Sequence, residues 1–197
     1  MEKGNQETAV LISIRPEWCQ KIADGEKTVE VRKTRPTIEP PFKCYIYETV
    51  NARFSRDILG KEYYHGTSGR GMVIGEFICR KIDSFVLVGS DLKSRQYRMI
   101  SKNGYCLPVD YAKMGLSEIE LVEYGKGKLL YGWNISDLII YDKTKRLDEF
   151  KSACDSCRIP ILPFRAPPCD KCPGRNITNA PQSWCYVDEL PPFEGEK

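Results

Sequence analysis

Two pairs of cysteines in the C-terminal part of the chain have the spacing of a metal site. Cys154 and Cys157 form the first pair and Cys169 and Cys172 the second, each separated by two residues. This spacing lets two thiolates converge on one ion, and two such pairs complete a tetrahedral zinc shell. Because four thiolates leave no open coordination position, we predict a structural zinc ion in an insertion spanning residues 151–176. Four reduced surface thiols or two disulfides are the alternatives.

A second group of chemically capable side chains lies near the N-terminus, where Lys27, Glu30 and Arg32 are interleaved with valines. On an exposed strand face such charges form surface ion pairs worth about 0–1 kcal/mol each. Beside a cleft, a desolvated lysine becomes a candidate base or nucleophile, because burial disfavours its ammonium form. Strand alternation puts Lys27 and Glu30 on opposite faces, so their convergence requires a twist or a bulge at the start of the strand.

Residues 51–71 combine basic and aromatic side chains with glycines and are predicted to form a loop. The residues concerned are Arg53, Arg56, Arg70, Tyr63, Tyr64 and His65. Such a loop suits phosphate contact and base stacking, although most loops are only solvated connections. Elsewhere, Trp133 is the better candidate to stack on a base and the neighbouring Asn134 to read a base edge. Aromatic residues of barrel strands more often pack in the core.

Composition narrows the class of protein. At 197 residues the chain suits one domain, and its net charge of +3 permits an anionic partner without requiring one. A single histidine, His65, argues against histidine-rich metal catalysis and against a Ser-His-Asp mechanism. Residues 1–8 lack an apolar signal core, and no stretch has the length needed to span a bilayer. We therefore expect a cytoplasmic protein with no membrane partner, whose nine cysteines stay reduced.

Several strands and two helices are predicted to position these groups. The expected strands are residues 9–14, 28–32, 43–49, 72–85 with a bend at Gly75, 129–141 with a bulge near Ser136, and 183–187. Pro16 is expected to open the first helix, which Asp24 and Gly25 close. Ser117 is expected to cap the second helix, which continues through Tyr124.

The spacing Gly-x-Lys-x-x-Glu-x-Arg, at Gly25, Lys27, Glu30 and Arg32, resembles the signature of the ASCH domain family, which is similar to PUA RNA-binding domains. Three later segments resemble strands of ASCH proteins from bacteria and their phages, namely residues 73–77, 130–135 and 181–187. The resemblance covers roughly residues 9–190. It implies a mainly β (α+β) fold, a PUA-like, largely antiparallel β-barrel with a few helices and the zinc-binding insertion. Residues 1–8 and 191–197 are then a disordered and a loose tail.

The resemblance leads us to expect a cleft that binds RNA or a modified nucleotide beside the signature strand. Lys27 and Arg32 would meet phosphate or a base acceptor. Glu30 would position Arg32 or accept a hydrogen bond from an exocyclic amine. Three further arginines, Arg53, Arg56 and Arg70, would extend the basic surface.

An enzyme is the main alternative, because some small ASCH proteins are amidohydrolases that deacetylate N4-acetylcytidine. Lys27 matches their catalytic lysine, but Glu30 stands where they have a threonine, and a carboxylate does not supply the same hydroxyl. Their second carboxylate comes from a helix, which here offers Glu118, Glu120 and Glu123. A ribonuclease is a related alternative. A module that contacts a protein partner through the zinc insertion is a third.

Overall fold

Strands make up most of the regular structure in the computed structural model, which describes residues 8–56, 60–89, 94–152 and 175–191. The strands are β1 (Thr8–Ile14), β2 (Val29–Arg32), β3 (Phe42–Glu48), β4 (Asn51–Arg56), β5 (Glu62–Ser68), β6 (Met72–Val88), β7 (Gln96–Ile100), β8 (Cys106–Leu107), β9 (Leu130–Lys145), β10 (Lys151–Ser152), β11 (Arg175–Asn176) and β12 (Trp184–Asp188). The helices are α1 (Pro16–Ala23), α2 (Tyr111–Met114) and α3 (Glu118–Gly125), and a 3-10 turn covers Leu147–Glu149.

The main sheet is mixed but largely antiparallel. β1 pairs antiparallel with β12 on one side and parallel with β3 on the other. β3 continues antiparallel into β6, which pairs with β9, and β9 pairs with β2. The strand path therefore runs β12–β1–β3–β6–β9–β2, and β7 joins the far half of β6. This arrangement confirms the predicted mainly β, barrel-like α+β class.

Side-chain hydrogen bonds bring the two ends of this path together. Arg32, the last residue of β2, donates from Nη2 to the backbone oxygen of Ser13 in β1 at 2.6 Å. Just beyond β2, the Thr37 amide donates to the Tyr186 hydroxyl of β12 at 2.7 Å. The indole of Trp184, also in β12, donates to Thr34 Oγ1 at 3.0 Å. The sheet therefore curls until β2 and the segment after it face β1 and β12.

β1 lies at the centre of the fold, since the side chains on both of its faces are buried. Val10 and Ile12 belong to one apolar cluster, while Ala9 and Leu11 belong to another. This separation follows from the two-residue period of a strand. A strand covered on both faces reads as a continuous apolar run, which residues 9–12 show.

α1 and α3 agree with their sequence signals, whereas α2 was not predicted. Pro16 occupies the first position of α1. Ser117 caps α3 in a capping box with Glu120, because each side chain bonds the other residue's backbone nitrogen. None of the helices in the described part of the chain is long and apolar enough to cross a bilayer.

The prediction of a loop over residues 51–71 was wrong, because β4 and β5 pair there as a separate antiparallel hairpin. A register shift between Ala52 and Phe54 interrupts the alternation of the hairpin, so its sequence lacks a clean period of two. β1 begins at Thr8, one residue earlier than predicted. The four cysteines of the predicted zinc insertion lie outside the described residues.

Gly75, where the sequence predicts a bend in β6, lies at an irregularity in the pairing of that strand. The pairing of β6 with β9 shifts register between Val73 and Gly75, where the two backbones approach closely. A Cβ atom at Gly75 would lie 2.3 Å from the backbone oxygen of Ile139 and 3.2 Å from Cα of Ile140. Glycine is required here because backbone, not a movable side chain, fills the space.

Replacing Gly75 by alanine should therefore lower the free energy of unfolding by about 1–3 kcal/mol, the usual cost of overpacking. Urea unfolding of the variant measures this loss. Gly104→Ala is the control, because its Cβ would meet nothing within 4 Å and only its φ of 80° opposes the substitution. A stability of Gly75→Ala equal to that of the wild type would show that β9 moves aside freely.

Candidate functional site

The signature begins at the glycine that ends α1. Asp24 is the last residue with helical geometry, and Gly25 follows with a φ of 76°, a left-handed conformation that favours glycine. Two residues later the backbone turns back, since the Lys27 amide donates to the Lys21 carbonyl at 2.9 Å. The glycine of the signature therefore serves to bring the chain from the helix into β2.

Lys27 is buried, with only 3% of its surface exposed. Its ammonium donates to the backbone oxygens of Val29 at 2.9 Å and Met114 at 2.6 Å, and lies 3.3 Å from Glu30 Oε2. β2 begins only at Val29, so Lys27 precedes the strand and strand alternation does not direct its side chain. This irregular start supplies the twist that the convergence of Lys27 and Glu30 requires.

The residues around Lys27 also capture the carbonyls at the end of α2. The Thr28 amide donates to the Lys113 oxygen at 2.9 Å, and Lys21 Nζ donates to the Gly115 oxygen at 3.2 Å. Together with the bond from Lys27 to Met114, three consecutive carbonyls thus receive donors. Helix ends leave such carbonyls without intrahelical partners, and a cation there is favourable. Lys27 consequently connects α2 to β2.

Glu30 joins the two cations of the signature. Its side chain is buried, with Oε2 towards Lys27 and Oε1 3.0 Å from Arg32 Nε. The Arg32 Nε atom is itself buried, but its N–H is not aligned for a hydrogen bond with any described residue. One carboxylate therefore faces two cations, and the cluster of Lys27, Glu30 and Arg32 carries a net charge of +1. We call it the ionic cluster.

A second buried carboxylate, Glu48, lies at the end of β3. It accepts a hydrogen bond from the Arg70 amide at 2.9 Å, and the Arg70 guanidinium lies 3.7 Å away. Burial raises the pKa of the Cys19 thiol, and the charges of Glu48 and Glu30 raise it further, so Cys19 lies within reach of both carboxylates. Strand alternation puts Glu48 on the same face of β3 as Cys44 and Ile46, which are both fully buried. A glutamate among apolar residues on one strand face was the signal that could have identified this second buried carboxylate.

Structural comparison identifies the architecture. Three crystal structures of the ASCH protein of Zymomonas mobilis align with 92% of the chain at 18% identity. A serine-to-alanine variant gives a TM-score of 0.50 over 89% of its own length. The chain has the ASCH fold. Another structure of this protein gives a TM-score of 0.49 over 88% of its length, and a tyrosine-to-phenylalanine variant gives 0.47 over 91%. No family model matches the sequence, and no curated protein matches it significantly.

Within this ASCH fold, Trp133 and Asn134, which were also predicted as site residues, have side-chain partners other than the ionic cluster. Trp133 has no exposed surface and packs against Phe42 and Trp184 in the core, so its ring is not open to a base. Asn134 donates to the Asp83 carboxylate at 2.9 Å and to the Lys81 oxygen at 3.2 Å. Neither residue touches the ionic cluster by a side-chain bond.

The remaining residues that the sequence predicted for a binding or metal site fall into two groups. Arg70 belongs to the pair with Glu48, while the side chains of Arg53 and Arg56, both in β4, lie outside the described part of the chain. The same holds for the predicted zinc ligands, and the described residues contain no group of three or more potential metal ligands.

The helical glutamates of the amidohydrolase alternative are exposed residues of α3. Glu120 closes the capping box, and its hydrogen bonds with Ser117 lower the pKa of its carboxyl group. Within the described residues, the acceptors around Lys27 are Val29, Met114 and Glu30. None of Glu118, Glu120 and Glu123 is among them.

Glu30→Gln should lower the free energy of unfolding by about 3–5 kcal/mol, the usual cost of leaving a buried charge without its partner. The neutral amide would leave Lys27 and Arg32 facing each other with no anion between them. Chemical denaturation measures the loss. Glu39→Gln is the matched control, because Glu39 pairs with Arg35 on the surface and such pairs contribute about 0–1 kcal/mol. Equal stabilities of the two variants would contradict a stabilising role for the ionic cluster.

Thiol reactivity should follow burial among the described cysteines. Burial raises the pKa of Cys19 and Cys44, and raises that of Cys79 to about 11, whereas Cys106 is exposed. Because the thiolate is the reactive form, iodoacetamide at about pH 8 should modify Cys106 well before the three buried thiols. Peptide mapping by mass spectrometry gives the order. Labelling of Cys79 at the rate of Cys106 in the folded protein would contradict the described burial.

Proposed function

We propose that the chain binds RNA or a nucleotide, with a phosphate or a base acceptor held beside Arg32. The observation that carries this proposal is the excess positive charge of the ionic cluster, in which two cations share one buried carboxylate. Glu48 does not remove the excess, because it faces its own partner, Arg70. A buried charge without an equal partner is costly, so an anionic ligand at this place is favoured.

Arg32 is the member of the cluster with donors to offer. Its side chain is about one-eighth exposed, at 12%, and only Nη2 has a hydrogen bond to a described residue. Nη1 has none there, whereas the buried Nε lies 3.0 Å from Glu30 Oε1 and is directed into the cluster. Arginine presents its donors in a planar fork that matches phosphate oxygens, and such charge-assisted bonds are strong.

Exposed cations border this position. Arg15 follows the end of β1, close in sequence to Ser13, whose oxygen binds Arg32. Lys33 follows Arg32 directly, and both Arg15 and Lys33 are exposed. Such residues attract a polyanion over a distance and add contacts to phosphates along its backbone. We infer that they extend the binding surface from Arg32.

The geometry favours binding over the deacetylation considered above. The ammonium of Lys27 is directed at two backbone oxygens and one carboxylate, all within 3.3 Å. A catalytic lysine needs its nitrogen turned towards a substrate atom at hydrogen-bond distance. Glu30 offers no hydroxyl in place of the threonine. These features support a site that holds a ligand by charge.

The proposal predicts salt-dependent binding of a short, labelled, single-stranded RNA in fluorescence anisotropy. Affinity should fall steeply between about 50 and 200 mM salt, and the slope of log affinity against log salt should become shallower by about 0.7 for each phosphate contact removed. Arg15→Gln combined with Lys33→Gln should therefore flatten the slope by about 1.4. Arg32→Lys, which keeps the charge but loses the fork, should weaken binding.

Lys102→Gln is the matched control, because this exposed lysine lies in the turn between β7 and β8. It should leave both affinity and slope unchanged. Absence of binding at low salt, or an identical slope for the double variant and the wild type, would overturn the proposal. Turnover of N4-acetylcytidine that disappears in Lys27→Met would favour the amidohydrolase instead.

We also propose that the four cysteines Cys154, Cys157, Cys169 and Cys172 hold a structural zinc ion, which the spacing of the two pairs supports. Elemental analysis of the purified chain should find about one zinc per molecule. Cys169→Ser should reduce that content. RNA binding through Arg32 should survive in the variant if the zinc site only orders its own segment. A metal-free chain with four alkylatable thiols at these positions would overturn the zinc proposal.

A further inference from the structure

We propose that Tyr124 is a stacking platform for an unpaired nucleobase, so that the ligand of this site is single-stranded. This inference rests on the proposed function, because it adds a base contact to the phosphate contact at Arg32. Sequence analysis gave Tyr124 no role beyond the end of a predicted helix. The structure places it beside the signature strand.

Tyr124 lies in the last turn of α3 and exposes 38% of its surface. Leu121, one turn earlier, is fully buried against the neighbouring strands, so the helix holds the tyrosine in a fixed position. The Tyr124 hydroxyl has no hydrogen bond to any described residue. A large aromatic ring thus stays at the surface of a rigid element without a structural hydrogen bond to explain it.

One cation lies over this ring, and two more act on it electrostatically. Lys33 Nζ lies 4.7 Å from the ring centroid, within the range of a cation–π contact. The charges of Arg32, Glu30 and Arg15 also act on the phenol: burial raises the pKa of Tyr124, Glu30 raises it further, and the two arginines lower it. The ring is therefore next to the cluster that offers donors to phosphate. The ring of α3 is thus under the influence of charges from β2 and from Arg15, the residue before α1.

A nucleotide matches this combination of groups. Its base would lie on the Tyr124 ring in place of the Lys33 ammonium, and its phosphate would meet Arg32. Lys33 is exposed and has a flexible stem, so it can leave the ring and pair with the phosphate. Stacking on an aromatic ring accepts any base, because every base has a π-face. We therefore expect little sequence preference at this position.

The same geometry favours a single-stranded nucleic acid over a duplex. In a duplex both faces of a base are covered by neighbouring bases, and the ring could reach a base only after unstacking. A tyrosine held on a helix next to a phosphate contact therefore selects strands whose bases are free. Duplex RNA would keep the phosphate contacts and lose the stacking.

The test compares two substitutions of Tyr124 and three ligands: an intact single strand, the same strand with an abasic site, and a duplex. Tyr124→Leu should weaken binding of a short single-stranded RNA by roughly 5- to 150-fold, the range measured for loss of one base–aromatic stack. Tyr124→Phe keeps the ring and should bind like the wild type. An RNA with an abasic site at the contacted position should bind the wild type as weakly as the intact RNA binds Tyr124→Leu. Scanning the abasic site along the strand finds that position.

Tyr105→Leu is the matched control. Tyr105 is 70% exposed in the turn between β7 and β8, and no cation lies over its ring among the described residues. Thermal unfolding should show that the variants keep their fold. Salt-dependent binding that is equal in wild type and Tyr124→Leu would overturn the stacking role and leave the proposed function intact. Absence of RNA binding by the wild type would overturn both. Equal affinity of the wild type for duplex and single strand would overturn the selection of unpaired bases.

Discussion

The buried carboxylate of Glu30 is the group on which the signature region depends. It stands between Lys27 and Arg32, and both cations are largely removed from water. Burying two cations would be prohibitive without an anion, and one anion compensates them only in part. The backbone oxygens around Lys27, and that of Ser13 at Arg32, accept hydrogen bonds from the two cations but leave the net charge of the cluster at +1. Charge, more than apolar packing, determines the geometry here.

The same interactions connect the elements of the fold. Lys27 reaches the end of α2, and Arg32 reaches β1 across the seam where the sheet curls on itself. A residue that joins the two ends of a curled sheet is held in one conformation, because its side-chain entropy is already lost when the chain folds. Arg32 is a structural donor to Ser13. Under the proposed function it would also be a preorganised donor for the ligand, and this would lower the entropy lost on binding.

The site was predictable where its residues are close in sequence and unpredictable where they are distant. The spacing of Lys27, Glu30 and Arg32 identified the ionic cluster, and its inward direction was one of two open interpretations. Tyr124 lies near the cluster only because α3 packs against β2, which is distant from it in sequence. No local pattern encodes such contacts. Trp133 was predicted to stack on a base, but strand pairing directs its ring into the core, where no ligand reaches it.

Local signals determined α1, α3 and the principal strands, because caps and a period of two act over a few residues. The β4–β5 hairpin was missed, because a register shift hid its alternation. Tertiary structure alone decided which charges became buried. An ionic side chain leaves water only when partners from other segments replace its hydration, and these partners, Met114 and Ser13, lie far from Lys27 and Arg32 along the chain.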